Sequence, residues 1–250
     1  MKGESPVQLI YGVNPILEAI KQAGGRIKEI IASSGRKGAA IENILTLAST
    51  KNIPVSFKDR SYLDNVAGCH MHQGIVALCD SFTYKKLDEI VDNLTKTRNI
   101  ILILDGVTDP QNLGAVIRTA HCFGVNGVII PENRAASVTS TVIKTSAGAA
   151  HWMPIVREVN LSWTIEYLKE RGFWIYGADR DAGTDIGEFD DDGPVVLVLG
   201  SEGKGLRPLI RKKCDFFLSI PMLGKVNSLN VSVAAGIILY EMSRKQRREG

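Results

Sequence analysis

The sequence predicts an α/β protein with two domains, the second built on a parallel sheet covered by helices on both faces. Three observations carry that prediction. Short β-prone runs alternate with helical ones along almost the whole chain. Two runs, Asn99–Val107 (NIILILDGV) and Pro194–Gly200 (PVVLVLG), are continuously apolar, as strands buried on both faces are. Between the two halves lies a polar, charged stretch, 81–98. The expected division is 1–80, a linker over 81–98, and 99–250.

In the first part, VQLIYG, IKEIIAS, IPVSF and GIVALCD read as strands; NPILEAIKQAGG, KGAAIENILTLASTKN and RSYLDNVAG read as the helices between them. Asn14 before Pro15 is a helix start, and Gly24 with Gly25 is a stop. In the second part, strands are expected at Asn99–Val107, GVNGVIIP, GFWIYGAD, PVVLVLG and FFLSIP, with helices at LSWTIEYLKERG and LRPLIRKKC.

The composition is that of a folded globular chain, 44% hydrophobic and 23% charged. No apolar run approaches the roughly 18–20 residues that span a bilayer, and no secretory signal is present, so a cytoplasmic protein without membrane attachment is expected. The net charge of +3 permits a nucleic-acid partner without demanding one. The four cysteines form no CxxC pair. Cys69, His70 and His72 (CHMH) with Cys79 fit no common zinc spacing and read as turn and strand residues; no metal is expected.

Three loops attract attention because each leaves a strand where open α/β sheets place ligands. DPQNLGAVIRTA enters a helix whose Leu113, Val116, Ile117 and Ala120 form a core face, leaving Asn112 free to cap and Arg118 pointing nearly opposite that face. LVLGSEGKGL contains three glycines around Glu202 and Lys204 and matches neither a Walker A loop nor GxGxxG. Lys204, Arg207, Arg211, Lys212 and Lys213 form either a phosphate-gripping face or a solvated one. In IPMLGKVNSLNVSVAAGIILYE, Ser228 or Asn230 caps a helix continued by Val231, Ala234, Ala235, Ile238 and Leu239. Caps account for one or two of its polar residues, and the whole of GKVNSLN exceeds that need.

Taken in order, Asp109–Ala120, Val198–Leu206 and Ile220–Glu241 resemble the three motifs of the SpoU/TrmH family of SPOUT RNA methyltransferases. KTSAGAAHWMPI (Lys144–Ile155) is similar to another family stretch. The resemblance covers residues 99–245, while YGVNPILEAI and HQGIVA resemble the small ribosomal-protein-like RNA-binding domain of two-domain members. The similarity is greatest to the bacterial 23S rRNA guanosine 2'-O-methyltransferase subgroup, in which a histidine usually stands where this chain has Asn14.

The resemblance implies a C-terminal SPOUT domain with a trefoil knot, a cytoplasmic homodimer, and transfer of a methyl group from S-adenosyl-L-methionine to an RNA ribose 2'-hydroxyl, with rRNA the expected partner. It implies donor binding by Leu199, Gly200, Ile220, Leu229 and Val231. It assigns the chemistry to Asn112, Arg118, Glu202, Ser228 and Asn230. Guanidinium stays protonated in proteins, so Arg118 is expected to stabilise a developing alkoxide rather than to act as a base. Lys28, Arg36, Lys37 and Arg60 are candidate phosphate contacts or plain solvated surface. The rival readings are a catalytically silent RNA-binding or ribosome-assembly factor, a tRNA 2'-O-methyltransferase, and a dinucleotide oxidoreductase, the last lacking GxGxxG.

Overall fold

The computed structural model describes residues 7–21, 27–35, 38–94, 99–189, 193–225 and 228–246. Gly24, Gly25, Arg36 and Lys37, like Val226, Asn227 and the end of the basic tail, lie outside the described residues. In chain order the elements are β1 (Val7–Tyr11), α1 (Val13–Lys21), β2 (Ile27–Ser33), α2 (Ala39–Thr50), β3 (Val55–Lys58), α3 (Arg60–Ala67) and β4 (Ile75–Asp80). They continue with α4 (Leu87–Val91), β5 (Ile100–Asp105), α5 (Pro110–Cys122), β6 (Gly127–Pro131), α6 (Ser140–Thr145), β7 (Ile155–Glu158) and α7 (Leu161–Lys169). The last are β8 (Trp174–Ala178), β9 (Val195–Gly200), α8 (Pro208–Arg211), β10 (Phe216–Leu218) and α9 (Val231–Gln246).

These elements gather into two compact units: the described residues of Met1–Thr83 with Val138–Trp152, and those of Tyr84–Ser137 with Met153–Gly250. The first holds a four-stranded sheet in the order β1-β4-β2-β3. β4 runs antiparallel to both neighbours, and β2 and β3 are parallel. Leu63 of α3 packs on Ile31 and Val76. The YGVN and HQG stretches meet here: α1 begins at Val13, not at Asn14, and the Val13 N–H donates to the Gln73 side chain at 2.9 Å. A side chain from the turn before β4, the strand paired with β1, thus supplies the cap that Asn14 was expected to give.

In the second unit six strands, all parallel, run in the order β10-β8-β9-β5-β6-β7. The continuously apolar runs occupy the middle; every residue of β5 and β6 is buried. Ile101, Ile103, Val196 and Val198 pack with Leu161, Ile165 and Leu168 of α7 and with Leu87 and Ile90 of α4. Each such aliphatic side chain contributes about 1.5–3 kcal/mol on burial. Alternate residues, Leu102 and Leu104 among them, point to the other face, where α9 meets β9 and packs along α5.

Further details depart from the sequence reading: α4 forms within the stretch 81–98 expected as a linker and buries Leu87 and Ile90 in this core. β7 was not among the expected strands; it is short, lies on the sheet edge, and ends in the charged pair Arg157–Glu158. The helix expected over Leu206–Cys214 is confined to Pro208–Arg211, because Pro208 sets its first position and the chain must turn back at once into β10. Among the described residues no helix is long and apolar enough to cross a membrane.

Candidate active site

β5 and β9 lie side by side, yet the chain leaves β5 toward β6 and reaches β9 from β8 on the other side. Their C-terminal ends therefore form a switch point, where the outgoing loops diverge and leave a crevice. The loop after β5 leads into α5. Asp109 caps that helix by accepting from the Gln111 N–H at 3.0 Å, and Pro110 opens its first turn. Leu113, Val116, Ile117 and Ala120 are buried as the spacing predicted, Asn112 is half-buried, and Arg118 is exposed.

The loop after β9 is a closed turn. Ser201 and Gly205 exchange backbone hydrogen bonds of 3.1 and 2.9 Å. A Cβ on Gly200 would lie 2.1 Å from the Gly205 carbonyl carbon, and Gly205 has φ +66°, so this turn requires glycine at both ends. It presents Glu202 at its tip.

Glu202 joins all three loops. Its Oε1 accepts from Asn112 Nδ2 at 3.1 Å, from Asn230 Nδ2 at 2.5 Å and from the Val231 N–H at 3.2 Å. Asn230 Nδ2 also donates to Asn112 Oδ1 at 2.9 Å. Asn230 occupies the N-cap of α9, where its Oδ1 accepts from the Ser232 N–H at 2.9 Å and the Ser232 hydroxyl at 2.6 Å. One amide thus does both jobs: its oxygen caps, and its nitrogen enters the cluster. The carboxylate lies at the N-terminal end of α9, where it takes up the Val231 N–H.

Beside this cluster opens a cleft of about 380 Å3. Its apolar wall includes Leu199, Leu218, Ile220, Leu229, Val231 and Ile238, and its polar side includes Asp179, Arg180, Glu202, Lys204 and Ser228. All five residues expected to hold a donor, Leu199, Gly200, Ile220, Leu229 and Val231, line it, as do Glu202 and Ser228. Asn112 and Asn230 reach it through Glu202. Arg118 is absent from the lining; six positions beyond Asn112, it is turned roughly 120° around the helix from it.

The loop after β8, Asp179–Asp181, also lines the cleft and was not singled out from the sequence. Only its place at a strand's C-terminal end could have flagged it. Of the five clustered cations, Arg207 pairs with Asp105, Arg211 with Asp179 while lying over the Phe217 ring, and Lys213 with Glu166. In the first unit Lys28 pairs with Asp80 at 3.1 Å. Among the described residues no group of three or more His, Cys, Asp or Glu side chains is arranged to hold a metal ion.

Residues 99–240 match the SpoU rRNA Methylase family, and residues 9–85 match RNA 2'-O ribose methyltransferase substrate binding. The 23S rRNA (guanosine-2'-O-)-methyltransferase RlmB of Pseudomonas putida is 41% identical over 97% of this chain and 98% of its own. The TrmH-family protein YacO of Bacillus subtilis is 40% identical over 96% and 97%. The AdoMet complex of the SpoU methyltransferase AviRb from Streptomyces viridochromogenes superposes with a TM-score of 0.82 at 27% identity, over 98% of this chain and 92% of that one. A TrmH/SpoU tRNA modifying enzyme of A. aeolicus, 32% identical, gives 0.55 over 66% and 82%.

Proposed function

The chain belongs to the SpoU rRNA methylase family, and from that premise we propose that it is a cytoplasmic enzyme that transfers the methyl group of S-adenosylmethionine to the ribose 2'-hydroxyl of a guanosine in 23S rRNA. The observation that carries this reading is the Glu202 hub, which binds residues from three separate loops at the edge of a cleft. The P. putida relative supports the substrate and the AviRb complex the donor.

The cleft suits an adenosyl sulfonium. Its volume is in the range of small-molecule sites, its aliphatic wall can pack a base, and its charged side can meet an amino-acid moiety. Leu199, Gly200, Ile220, Leu229 and Val231 are the residues that would hold the donor. When bound, S-adenosylmethionine supplies an electrophilic methyl group. The chain's own contribution is to align the ribose oxygen with that methyl and to stabilise charge as the hydroxyl proton leaves. Glu202 fixes Asn112 and Asn230, so their amides are preorganised for the ribose, and Ser228 adds a hydroxyl at the rim. The Arg118 guanidinium stabilises the developing alkoxide.

Because Arg118 is exposed and does not line its own cleft, we assign it to the cleft of a second copy in a homodimer. Support comes from α9: Val233, Ile237 and Tyr240 are exposed at 49%, 36% and 47%, a spacing that sets them along one face beside α5. We also extend the family's trefoil knot to this chain. From β10 at the sheet edge the chain returns to lay α9 along α5, passing the loops that follow β8 and β9.

The test is a map of 2'-O-methyl groups in RNA from cells with and without the gene. One guanosine in 23S rRNA should lose its methyl group. A site lost from tRNA instead would replace the substrate, and no site lost, with no methyl incorporation by purified protein, would leave a silent RNA-binding factor.

A further inference from the structure

At the root of the Glu202 loop lies a second carboxylate that the proposed chemistry does not use. Asp105 ends β5, is 1% exposed, and pairs in register with Gly200, the last residue of β9. Its Oδ2 accepts from the Arg207 backbone N–H at 2.8 Å, and its Oδ1 from Arg207 Nε at 2.5 Å. Charge removed from water is costly unless paired and hydrogen-bonded, and here one residue serves both oxygens.

The two ends of the loop meet at this carboxylate. The chain leaves β9 beside Asp105, doubles back through the Ser201–Gly205 bridge, and returns to Asp105 at Arg207. The next residue on the β5 side, Gly106, has φ +89°, and a Cβ there would lie 3.7 Å from Ser201 Cβ. The exit of β5 and the entry of the glycine loop therefore run in contact. Asp105 stands at the base of both the loop that carries Glu202 and the loop that leads to Asn112.

The anion of this pair is more deeply buried than those of the other ion pairs described in this unit; in Arg211–Asp179, the most similar, the side chains are 47% and 14% exposed. In Lys213–Glu166 the side chains are 34% and 46% exposed, whereas the Asp105 side chain is 0% exposed and Arg207 is 50% exposed. A half-solvated cation reaches inward to a fully buried anion, so the contact has one geometry. Exposed pairs exchange among several.

We propose that Asp105 and Arg207 are positioning residues for the methyl transfer. Their clasp sets the height of the glycine loop so that Glu202 meets Asn112 and Asn230, and it holds the Leu199–Gly200 backbone against the cleft. The inference rests on the methyltransferase reading of this site.

The experiment is a double-mutant cycle on single-turnover methyl transfer to rRNA, using wild type, Arg207→Ala, Glu202→Gln and the double variant, with melting temperatures beside it. Arg207→Ala keeps the backbone N–H bond to Asp105 and removes only a half-exposed side chain. It should lower the rate constant roughly ten- to a hundredfold, as a small displacement of a positioned group does. Arg207→Lys should restore part of the loss. In the Glu202→Gln background the further loss should shrink to under about threefold, because the clasp acts through Glu202. A purely stabilising pair would lower the melting temperature and leave the two losses multiplicative, which would overturn the proposal. So would an Arg207→Ala enzyme as fast as wild type. Should Arg207→Ala not fold, Arg207→Gln runs the same cycle under the same criteria. A wild-type protein that transfers no methyl group overturns the functional reading and this proposal together; an active wild type with multiplicative losses overturns the proposal alone.

Discussion

Asp64 in the first unit and Glu202 in the second each accept several hydrogen bonds on one carboxylate oxygen, yet the two are built for different ends. Asp64 Oδ1 accepts from His72 Nε2 at 2.8 Å and from His70 Nδ1 at 3.0 Å. His72 is fully buried and its Nδ1 accepts from the Gly74 N–H at 3.0 Å, which fixes the tautomer with the proton on Nε2. Every bond closes within a short stretch of chain, and the product is a rigid turn into β4. Glu202 gathers partners 90 and 28 residues away, is exposed, and borders a cleft. A polar cluster is structural when its bonds close within a short stretch of chain around a buried group, as they do around His72. It is a candidate site when distant loops converge on a group that solvent can still reach.

The largest effect should fall on the residue assigned to the alkoxide beside the second cluster. Arg118→Ala should lower methyl transfer about a thousandfold, as loss of a charge-stabilising donor does, with S-adenosylmethionine affinity unchanged by calorimetry. Mixed after unfolding and refolding together with Glu202→Ala, it should recover about a quarter of wild-type activity, since half the dimers are mixed and each has one intact site. No recovery would mean that Arg118 serves its own cleft.

The first cluster should respond in stability and not in cofactor binding. His72→Ala leaves a cavity and strips the Gly74 N–H of its acceptor, at a cost of about 2–4 kcal/mol in urea unfolding. A loss of cofactor affinity in that variant would show that the first cluster is not purely structural.

The smallest effect is one of pH. The hydrogen bond from His72, and then that from His70, hold the Asp64 carboxyl below the ordinary aspartate range. A carboxyl depressed in the folded state stabilises the fold above its unfolded value, and the contribution is lost as pH falls through the folded one. Stability measured from pH 5 downward, to about pH 2, should therefore fall less steeply in Asp64→Asn than in wild type. Equal slopes would show that Asp64 is not the group responsible.

The contrast also explains what could be read in advance. The CHMH stretch reads as turn and strand residues because its spacing fits no metal, and its second histidine, His72, is consumed by a local turn. Residues 99–107 and 194–200 could be placed at the sheet centre because an unbroken apolar run has no polar face to give to water. β7 escaped notice because its charged second half suits an edge strand, which needs no such run. Asn230 could be read as a cap, since capping depends on neighbours a turn away.

What a sequence determines by itself is what neighbours along the chain decide: periodicity, caps, glycine turns, and so the α/β class and the three loops after strands. Tertiary structure alone decided that the Asn230 amide would divide between Ser232 and Glu202, that the cation cluster would be largely absorbed by Asp105, Asp179 and Glu166, and that Arg118 would not line its own cleft. The physical reason is range. Hydrogen bonds and ion pairs act over a few ångströms, and Asn112 and Glu202 come within that distance only after two strands of a buried sheet have set their ends side by side.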